Sequence, residues 1–318
     1  MNNNTKKSII LIAAMSVLYA GSSVAQTYPT GFTNTGSIAN TRHNLSQSTL
    51  SASVRDAMDV ARNQYGEICV YCHTPHGANT TIAAPLWNRT NKATTYTTYN
   101  SATLSQPVSQ PGPNSLSCLS CHDGTVAIDS IINMPGSGGY NEAQKTTSSG
   151  AFLNTWNNPS GHTDTVNHLG LNSRTNSSGT IIGDGGGSQG CILCHSDPDS
   201  LSSPFPGTAP DFTVFNLGTD LSNDHPVGIK YPTTGPGVDF KPTNSTHNNI
   251  AYFDNNGNSK LDSEDLRLYN TGQGFAVECA SCHDPHGVPS NGPNTVFNAT
   301  FMRTSNSGSA LCLTCHTK

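Results

Sequence analysis

Five short segments of the chain share the pattern Cys-x-x-Cys-His, which brings two thiols and an imidazole together. This pattern is the attachment signature of a c-type haem, because both thiols add to the haem vinyl groups and the histidine binds the iron. Numbered as sites 1 to 5 in chain order, the cysteine pairs are Cys69 and Cys72, Cys118 and Cys121, Cys191 and Cys194, Cys279 and Cys282, and Cys312 and Cys315. The iron-binding histidines are His73, His122, His195, His283 and His316. The sequence therefore predicts five covalently attached haems.

Other uses of cysteine fit this pattern less well. The five segments take up all ten cysteines, which leaves none for disulfide bonds. Structural zinc sites need paired Cys-x-x-Cys units and do not need a histidine after each of them. Haem attachment is therefore the interpretation that explains every cysteine.

Each iron also needs a second axial ligand, and seven of the twelve histidines lie outside the five motifs. His76 and His286 each follow an iron-binding histidine by three residues. Residues at this spacing lie on the same side of a helical segment, so both imidazoles cannot bind opposite faces of one haem. We expect His76 and His286 to bind different haems, either in this chain or in a neighbouring subunit.

The remaining second ligands are assigned by position. His43 and His225 are expected as ligands because each stands ahead of one pair of motifs. For the last iron we expect His168, with His162 as the alternative. His247 lies in a polar stretch with no matching motif and is interpreted as a solvated residue.

An internal repeat organises the chain. Residues 67–77 around site 1 match residues 277–287 around site 4, and residues 117–122 at site 2 match residues 311–316 at site 5. Residues 26–318 are therefore predicted to form one continuous module of two haem pairs, sites 1–2 and sites 4–5, with site 3 inserted between them.

The N-terminal 25 residues have the features of a signal peptide. Lys6 and Lys7 precede an apolar run at 9–20, and Ser23-Val24-Ala25 provides a cleavage site of the small-x-small type. The apolar run is shorter than the ~20 residues that span a bilayer, so we expect export without a membrane span. Cleavage removes two lysines and no acids, so the formal charge changes from −5 to −7. This charge argues against nucleic acid or an anionic membrane as a partner.

The composition predicts a weak polypeptide core. The chain is rich in Gly, Ser, Thr and Asn and contains two tryptophans, so it buries too little apolar surface to offset its ordering entropy. Haems are large apolar plates around which such a chain can fold. We therefore expect mostly coil with a few short helices and little strand, organised around a closely packed haem chain.

A polar loop near site 4 has the spacing of a calcium-binding loop. Oxygen-bearing side chains occupy loop positions 1, 3, 5, 9 and 12, and a backbone carbonyl falls at position 7, as in an EF-hand. Asp265 replaces the usual bidentate Glu at position 12, and Ser259 replaces the usual Gly at position 6. A polar turn without metal is the alternative. The candidate ligands are Asp254, Asn256, Asn258, Lys260, Asp262 and Asp265.

The segments 42–46, 69–77, 224–228 and 279–287 together resemble the doubled-CxxCH multihaem cytochromes, most closely those exported by metal-reducing bacteria. The resemblance implies bis-histidine haems and long-range electron transfer, with redox proteins or extracellular acceptors as partners. Some relatives self-associate into filaments in which a histidine from the next subunit completes the haem chain, and His76 or His43 would then be the donor. It also implies secretion, with an extracellular or cell-surface location favoured over the periplasm.

Three functions follow from these observations. The leading one is an exported pentahaem electron conductor that is not an enzyme and that forms filaments. The second is a monomeric periplasmic electron carrier. The third is a multihaem reductase, which needs an iron with an open position or an unusual ligand such as lysine. The chain contains no Cys-x-x-Cys-Lys segment and has more histidines than its irons need.

Overall fold

A computed structural model describes the two haem pairs and the segments that surround them. Its described residues are 33–45, 67–82, 84–89, 94–104, 106–124, 131–133, 216–232, 238–288 and 300–317, with the backbone of two short strands at 174–175 and 181–182. Site 3 and both of its candidate ligands, His162 and His168, lie outside these residues.

Helices in the described residues are short and coincide with the haem motifs. The α-helices are α1 (Pro113–His122), α2 (Cys279–Cys282) and α3 (Ala310–Cys315), and 3-10 turns occur at Ile38–Asn40, Cys69–Tyr71 and Ser307–Ser309. Pro113 suits the first turn of α1, where its missing N–H has no intrahelical partner to lose. Sites 2, 4 and 5 are thus each presented on a helix, and site 1 on a 3-10 turn.

Strands surround these helices. They are β1 (Thr97–Thr98), β2 (Arg174–Thr175), β3 (Ile181–Ile182), β4 (Asp220–Leu221), β5 (Ile229–Lys230), β6 (Ser245–His247), β7 (Ile250–Phe253), β8 (Leu266–Asn270) and β9 (Phe275–Val277). β1 and β4 pair in parallel, and β2 and β3 pair antiparallel. The other five strands form one antiparallel sheet in the order β5-β9-β8-β7-β6.

This five-stranded sheet shows that the expectation of mostly coil with little strand was wrong. Its central strand β8 alternates in burial, with Leu266 and Leu268 buried and Arg267 less so, as expected for a half-buried strand. The register pairs Phe253 with Leu266 and Ile250 with Tyr269. The polar composition of the chain did not indicate these strands, because their apolar residues form short runs separated by a long polar loop.

The sheet supports the second haem pair. Ala251, Phe253, Leu266 and Leu268 form a buried cluster, and the half-buried Cys282 of site 4 and Cys315 of site 5 pack against it. Smaller clusters lie beside the first pair, around Val70 and Tyr71 near site 1 and around Leu119 near site 2. The apolar core is therefore divided into patches, each placed against a haem-attachment segment.

None of the helices in the described part of the chain has the length and apolarity needed to cross a bilayer.

Candidate haem sites

Sites 1 and 4 have the same backbone architecture. After each motif the chain folds back onto it. At site 1 the Thr74 N–H donates to the Leu86 carbonyl, and at site 4 the Asp284 N–H donates to the Phe301 carbonyl, both at 2.9 Å. Leu86 and Phe301 share an unusual left-handed backbone, with φ of 54° and 56°. The internal repeat of the sequence is therefore also a repeat of structure.

A second equivalent contact completes this arrangement. Asn88 N–H donates to the Cys72 carbonyl and Arg303 N–H donates to the Cys282 carbonyl, both at 2.8 Å. The side chains at these positions differ between the repeats, because Asn88 stands where the second repeat has Arg303. The shared backbone geometry thus holds different side chains near the two haems.

The histidine rings are oriented for metal binding through one nitrogen. Nδ1 contacts a carbonyl oxygen in His73 (Pro85, 2.7 Å), His43 (Pro285, 2.9 Å) and His225 (Pro226, 3.1 Å), and also in His283, where the carbonyl is that of Thr300. In His286 the acceptor is the Asp284 carboxylate at 3.2 Å. An Nδ1–H donor fixes the tautomer that leaves the Nε2 lone pair free for a metal, as in most histidine–metal sites.

Two pairs of rings have the separation that one iron requires. The centroids of His73 and His286 are 6.0 Å apart, and those of His43 and His122 are 6.1 Å apart. Two imidazoles on opposite sides of one metal, each bonded at about 2 Å, have centroids about 6 Å apart. The described residues therefore fit bis-histidine haems at sites 1 and 2.

The second repeat is arranged differently. His225 lies close enough to His316 for the charge of His316 to lower its pKa, although burial is the larger cause. His283 makes no ring contact with another histidine among the described residues. His76 is exposed, like its counterpart His286, whose side chain is 64% exposed, and like His247, which lies on strand β6.

The ring of His43 is the most deeply enclosed of these histidines. It stacks on Phe301 with centroids 4.5 Å apart and faces His122. Burial, and after it the charge of His122, lowers the pKa of His43 to about 4. The imidazole is therefore neutral at physiological pH, which is the form that binds a metal.

A buried charge pair stands behind His286. Arg303 donates to the Asp284 carboxylate at 2.9 Å and is 5% exposed. The first repeat has Thr74 and Asn88 at the equivalent positions. Burial alone raises the pKa of Asp284, but the hydrogen bond from His286 and the charge of Arg303 outweigh it and the pKa is lowered. Asp284 is thus ionised when it accepts from the His286 ring.

Four of the eight described motif thiols lie in surroundings that favour a neutral sulfur. Burial, and then Cys121, raises the pKa of Cys72 to about 12, and burial, and then Cys282, raises that of Cys315 to about 12. All eight described cysteines are free of disulfides. No group of three or more His, Cys, Asp or Glu side chains in the described ranges is gathered to hold a bare metal ion.

Thiols of different sites approach one another in a defined order. Cys72 of site 1 interacts with Cys121 of site 2, and Cys282 of site 4 interacts with Cys315 of site 5. Between these pairs, Cys118 of site 2 and Cys279 of site 4 share a hydrogen bond, which raises the pKa of Cys118 and lowers that of Cys279. The described sites therefore form the row 1–2–4–5.

The candidate calcium loop joins β7 to β8 and is folded around its own polar side chains. Asn256 and Asn258 donate to the same oxygen of Asp262, at 3.1 and 2.6 Å. Asp254 accepts from backbone N–H groups, including that of Ser259 at 2.8 Å, and the buried Asp265 accepts from those of Asn255 and Asp262. Ser259 has a φ of 61°, the left-handed conformation that Gly supplies at this position in EF-hands.

Residues 273–318, which contain sites 4 and 5, match the family described as the doubled CXXCH motif. The C-terminal segment is a doubled CXXCH unit. This match supports a multihaem c-type cytochrome with a role in electron transfer. A search of curated proteins found none that matches the chain.

Several residues around the sites were not identified from the sequence. Phe301 and Arg303 belong to no motif, so nothing in the sequence assigns them to a haem site. Asp284 was visible inside the Cys-x-x-Cys-His-Asp-Pro-His segment, where its position two residues before His286 is a usable signal. Glu278, immediately before Cys279, was equally visible, but its contacts are with site 2.

Proposed function

We propose that the chain is an exported pentahaem electron conductor whose copies assemble head to tail into filaments. The haems supply one-electron redox chemistry when bound. The residues of the chain attach them, supply both axial imidazoles and hold neighbouring sites in contact. The match of the C-terminal segment to a doubled CXXCH family supports the electron-transfer role, and the contacts between repeats support the assembly.

The first part of the proposal concerns the axial ligands. We assign His286 to the iron at site 1 and His43 to the iron at site 2, on the basis of the two ring separations. His225 is assigned to site 5 because it lies near His316. His168 or His162 remains the ligand proposed for site 3. This leaves His283 of site 4 in need of a histidine.

The proposal of assembly rests on the different surroundings of two equivalent histidines, His286 and His76. His286, from the second repeat, faces His73 of the first repeat at 6.0 Å. The equivalent contact would bring His76, from a first repeat, to His283 of a second repeat. Both histidines are exposed, but the ring of His76 faces no histidine among the described residues of its own chain. We therefore assign His76 of the next copy to the iron at site 4.

The segments ahead of each haem pair are also equivalent. Asn34, Gly36 and His43 have the same spacing as Asn216, Gly218 and His225, and both glycines have positive φ, 80° and 68°. The first of these arms packs on the turn after site 4: Gly36 N–H donates to the Val288 carbonyl at 2.6 Å. We propose that the second arm packs in the same way on residues 74–78 of the next copy.

Exposed apolar side chains mark the surfaces that would meet. Phe301 is 8% exposed because it stacks on His43, which comes from the first arm. Its equivalent, Leu86, is 53% exposed, and Leu217 on the second arm is 37% exposed. Two of the three large exposed hydrophobic side chains among the described residues thus lie where the repeat predicts a neighbour. Such a contact joins two different surfaces, and it builds a filament where the rotation between copies does not close a ring.

The test is to compare His76→Ala with His247→Ala, because both histidines are exposed. Wild-type protein, held dilute and monomeric, should have one five-coordinate haem that binds carbon monoxide after reduction. That haem should become six-coordinate as filaments form, as seen by magnetic circular dichroism and electron microscopy. His76→Ala should form no filaments and keep the open haem, whereas His247→Ala should behave like wild type.

Two results would support the other functions. A monomer in which all five haems are six-coordinate, with no filaments at any concentration, supports the periplasmic carrier and contradicts the assembly. An open haem that persists in every oligomeric state and reduces nitrite or a sulfur oxyanion supports the reductase.

We also propose that the loop at 254–265 binds calcium. The observation that favours this is the backbone of the loop: Asp254 accepts from the N–H groups of Gly257 and Asn258, and Ser259 has the left-handed conformation at position 6. Calcium bound there would brace the hairpin of β7 and β8, whose buried side chains support sites 4 and 5.

A further inference from the structure

The helices that carry sites 2 and 4 are joined through one buried carboxylate. Glu278 is 1% exposed and immediately precedes Cys279. Its side chain accepts from the N–H of Gly112, the N-cap of α1, at 3.0 and 3.2 Å to its two oxygens. It also takes part in the capping box at the N-terminus of α2 with Ser281. One carboxylate thus stabilises the N-terminal ends of both helices, where a negative charge is favoured.

Ser115 completes this connection from the other side. Its hydroxyl donates to the Glu278 carboxylate and accepts from the Cys279 N–H at 2.9 Å. Ser115 lies one helical turn before Cys118, so the same contact draws the two attachment cysteines together. Gly112 permits the approach, because a Cβ there would lie 2.3 Å from a Glu278 oxygen.

We propose that electrons pass directly between sites 2 and 4, that site 3 is not an intermediate between them, and that Glu278 is the residue that positions this step. This inference rests on the proposed electron-transfer function but not on filament assembly. The Cys279 N–H donates to Ser115, one helical turn before Cys118, so the two attachment segments are in direct contact. Haems attached at Cys118 and Cys279 would therefore be neighbours.

The step is a simple exchange. Haems held by the motifs at Cys118 and Cys279 would supply one-electron chemistry, in which one haem is oxidised as the other is reduced. No bond is made or broken, and no proton is needed. The chain contributes only the geometry, through Glu278, Ser115 and Gly112.

Two sites that are not consecutive in the sequence are therefore proposed as neighbours in the row. Sites 2 and 4 are separated by more than 150 residues of chain that include all of site 3, yet they are neighbours in the fold. Sites 1 and 5 extend the row at its two ends through Cys72 with Cys121 and Cys282 with Cys315.

The decisive measurement is the arrangement of irons in haem-loaded protein, obtained by cryo-electron microscopy of monomers or filaments. The irons of sites 2 and 4 should be nearest neighbours, with no third iron between them. An iron of site 3 between them would overturn the proposal. Because either form of the protein can be used, a failure to assemble does not affect this test.

Variants test the same order in solution. The double variant Cys191→Ala with Cys194→Ala should lose one haem by mass and keep the other four electroactive in protein-film voltammetry. If electrons passed between sites 2 and 4 through site 3, the haems beyond site 3 would also lose their voltammetric response, and fewer than four haems would respond.

Glu278→Gln tests the positioning role, with the exposed Glu67→Gln as its matched control. Glu278→Gln should retain all five haems but lose part of the Soret circular-dichroism couplet that close haems produce. Ser115→Ala should do the same, which guards against a folding defect in either single variant. Unchanged couplets in both variants would show that these residues do not position the step.

Discussion

The imidazole of His43 and the carbonyl oxygen of Pro285 are 2.9 Å apart, although 242 residues separate them in the chain. His43 belongs to the arm before site 1, and Pro285 lies in the turn after site 4. His286 from that same turn faces His73, so this one turn contributes to the histidine pairs at both sites of the first repeat. The first pair of motifs is therefore completed by residues of the second repeat.

Asp284 is expected to tune the haem at site 1. Its carboxylate accepts from Nδ1 of His286 and so makes that ligand more electron-donating, which favours ferric iron. Asp284→Asn weakens this charge-assisted bond by about 1 kcal/mol, and the midpoint potential should rise by about 40 mV. Spectroelectrochemical titration measures the shift. Thr74→Val, at the equivalent position of the first repeat, should leave the potentials of all five haems in place.

The same carboxylate should contribute to stability in a pH-dependent way. The pKa of Asp284 is lowered in the folded protein by its His286 and Arg303 partners, against the effect of burial. Its stabilising contribution is therefore complete above the unfolded pKa of about 4 and is lost as the pH falls through the lower folded value. Denaturant unfolding should show Asp284→Asn less stable than wild type at pH 7, by about 3 kcal/mol. A gap that stays constant down to pH 2 would contradict this account.

Ser259 should be a site where glycine stabilises the protein. Its φ of 61° costs a side chain with a Cβ roughly 1 kcal/mol, and Ser259→Gly removes that cost. Thermal unfolding should show a rise in Tm. Gly257→Ala is the matched control, because Gly257 has a φ of 72° and open space around its Cα, so alanine there should lower Tm by backbone strain alone.

Calcium should bind to the same loop and add to its stability. Calorimetric titration of calcium into metal-stripped protein should give a saturable heat, and chelation should lower the Tm. Asp254→Ala should abolish the heat, because Asp254 is the first ligand of the loop, while Asp220→Asn, on strand β4, should leave it intact. A titration of wild-type protein without heat would exclude the site.

Gly112 should tolerate no side chain. A Cβ there would lie 2.3 Å from a Glu278 oxygen and 3.2 Å from Thr271, so Gly112→Ala must displace the carboxylate that joins α1 and α2. We expect a loss of about 2–3 kcal/mol in the free energy of unfolding. Gly272→Ala meets open space at a φ of 87° and should cost only about 1 kcal/mol. Equal losses for the two variants would show that the contact with Glu278 carries no special weight.

Little of the fold could be predicted from the sequence. Helices α1, α2 and α3 coincide with haem motifs, but the motif spacing predicted the chemistry of these segments and not their conformation. The five-stranded sheet was missed because its pairing partners, such as Phe253 and Leu266, are brought together by a loop of polar residues. Strand pairing depends on contacts between distant segments, which average composition does not reveal.

By itself, the sequence predicted which residues attach haem, because Cys-x-x-Cys-His places all the reacting groups within five residues. It also predicted that His76 and His286 need irons other than those of their own motifs, since that follows from backbone spacing. Only the tertiary structure decided that His286 faces His73 while His76 faces no histidine among the described residues, and that site 2 adjoins site 4. Those relationships are set by packing between segments far apart in the chain, where a buried Glu278 and a stacked Phe301 have their effect.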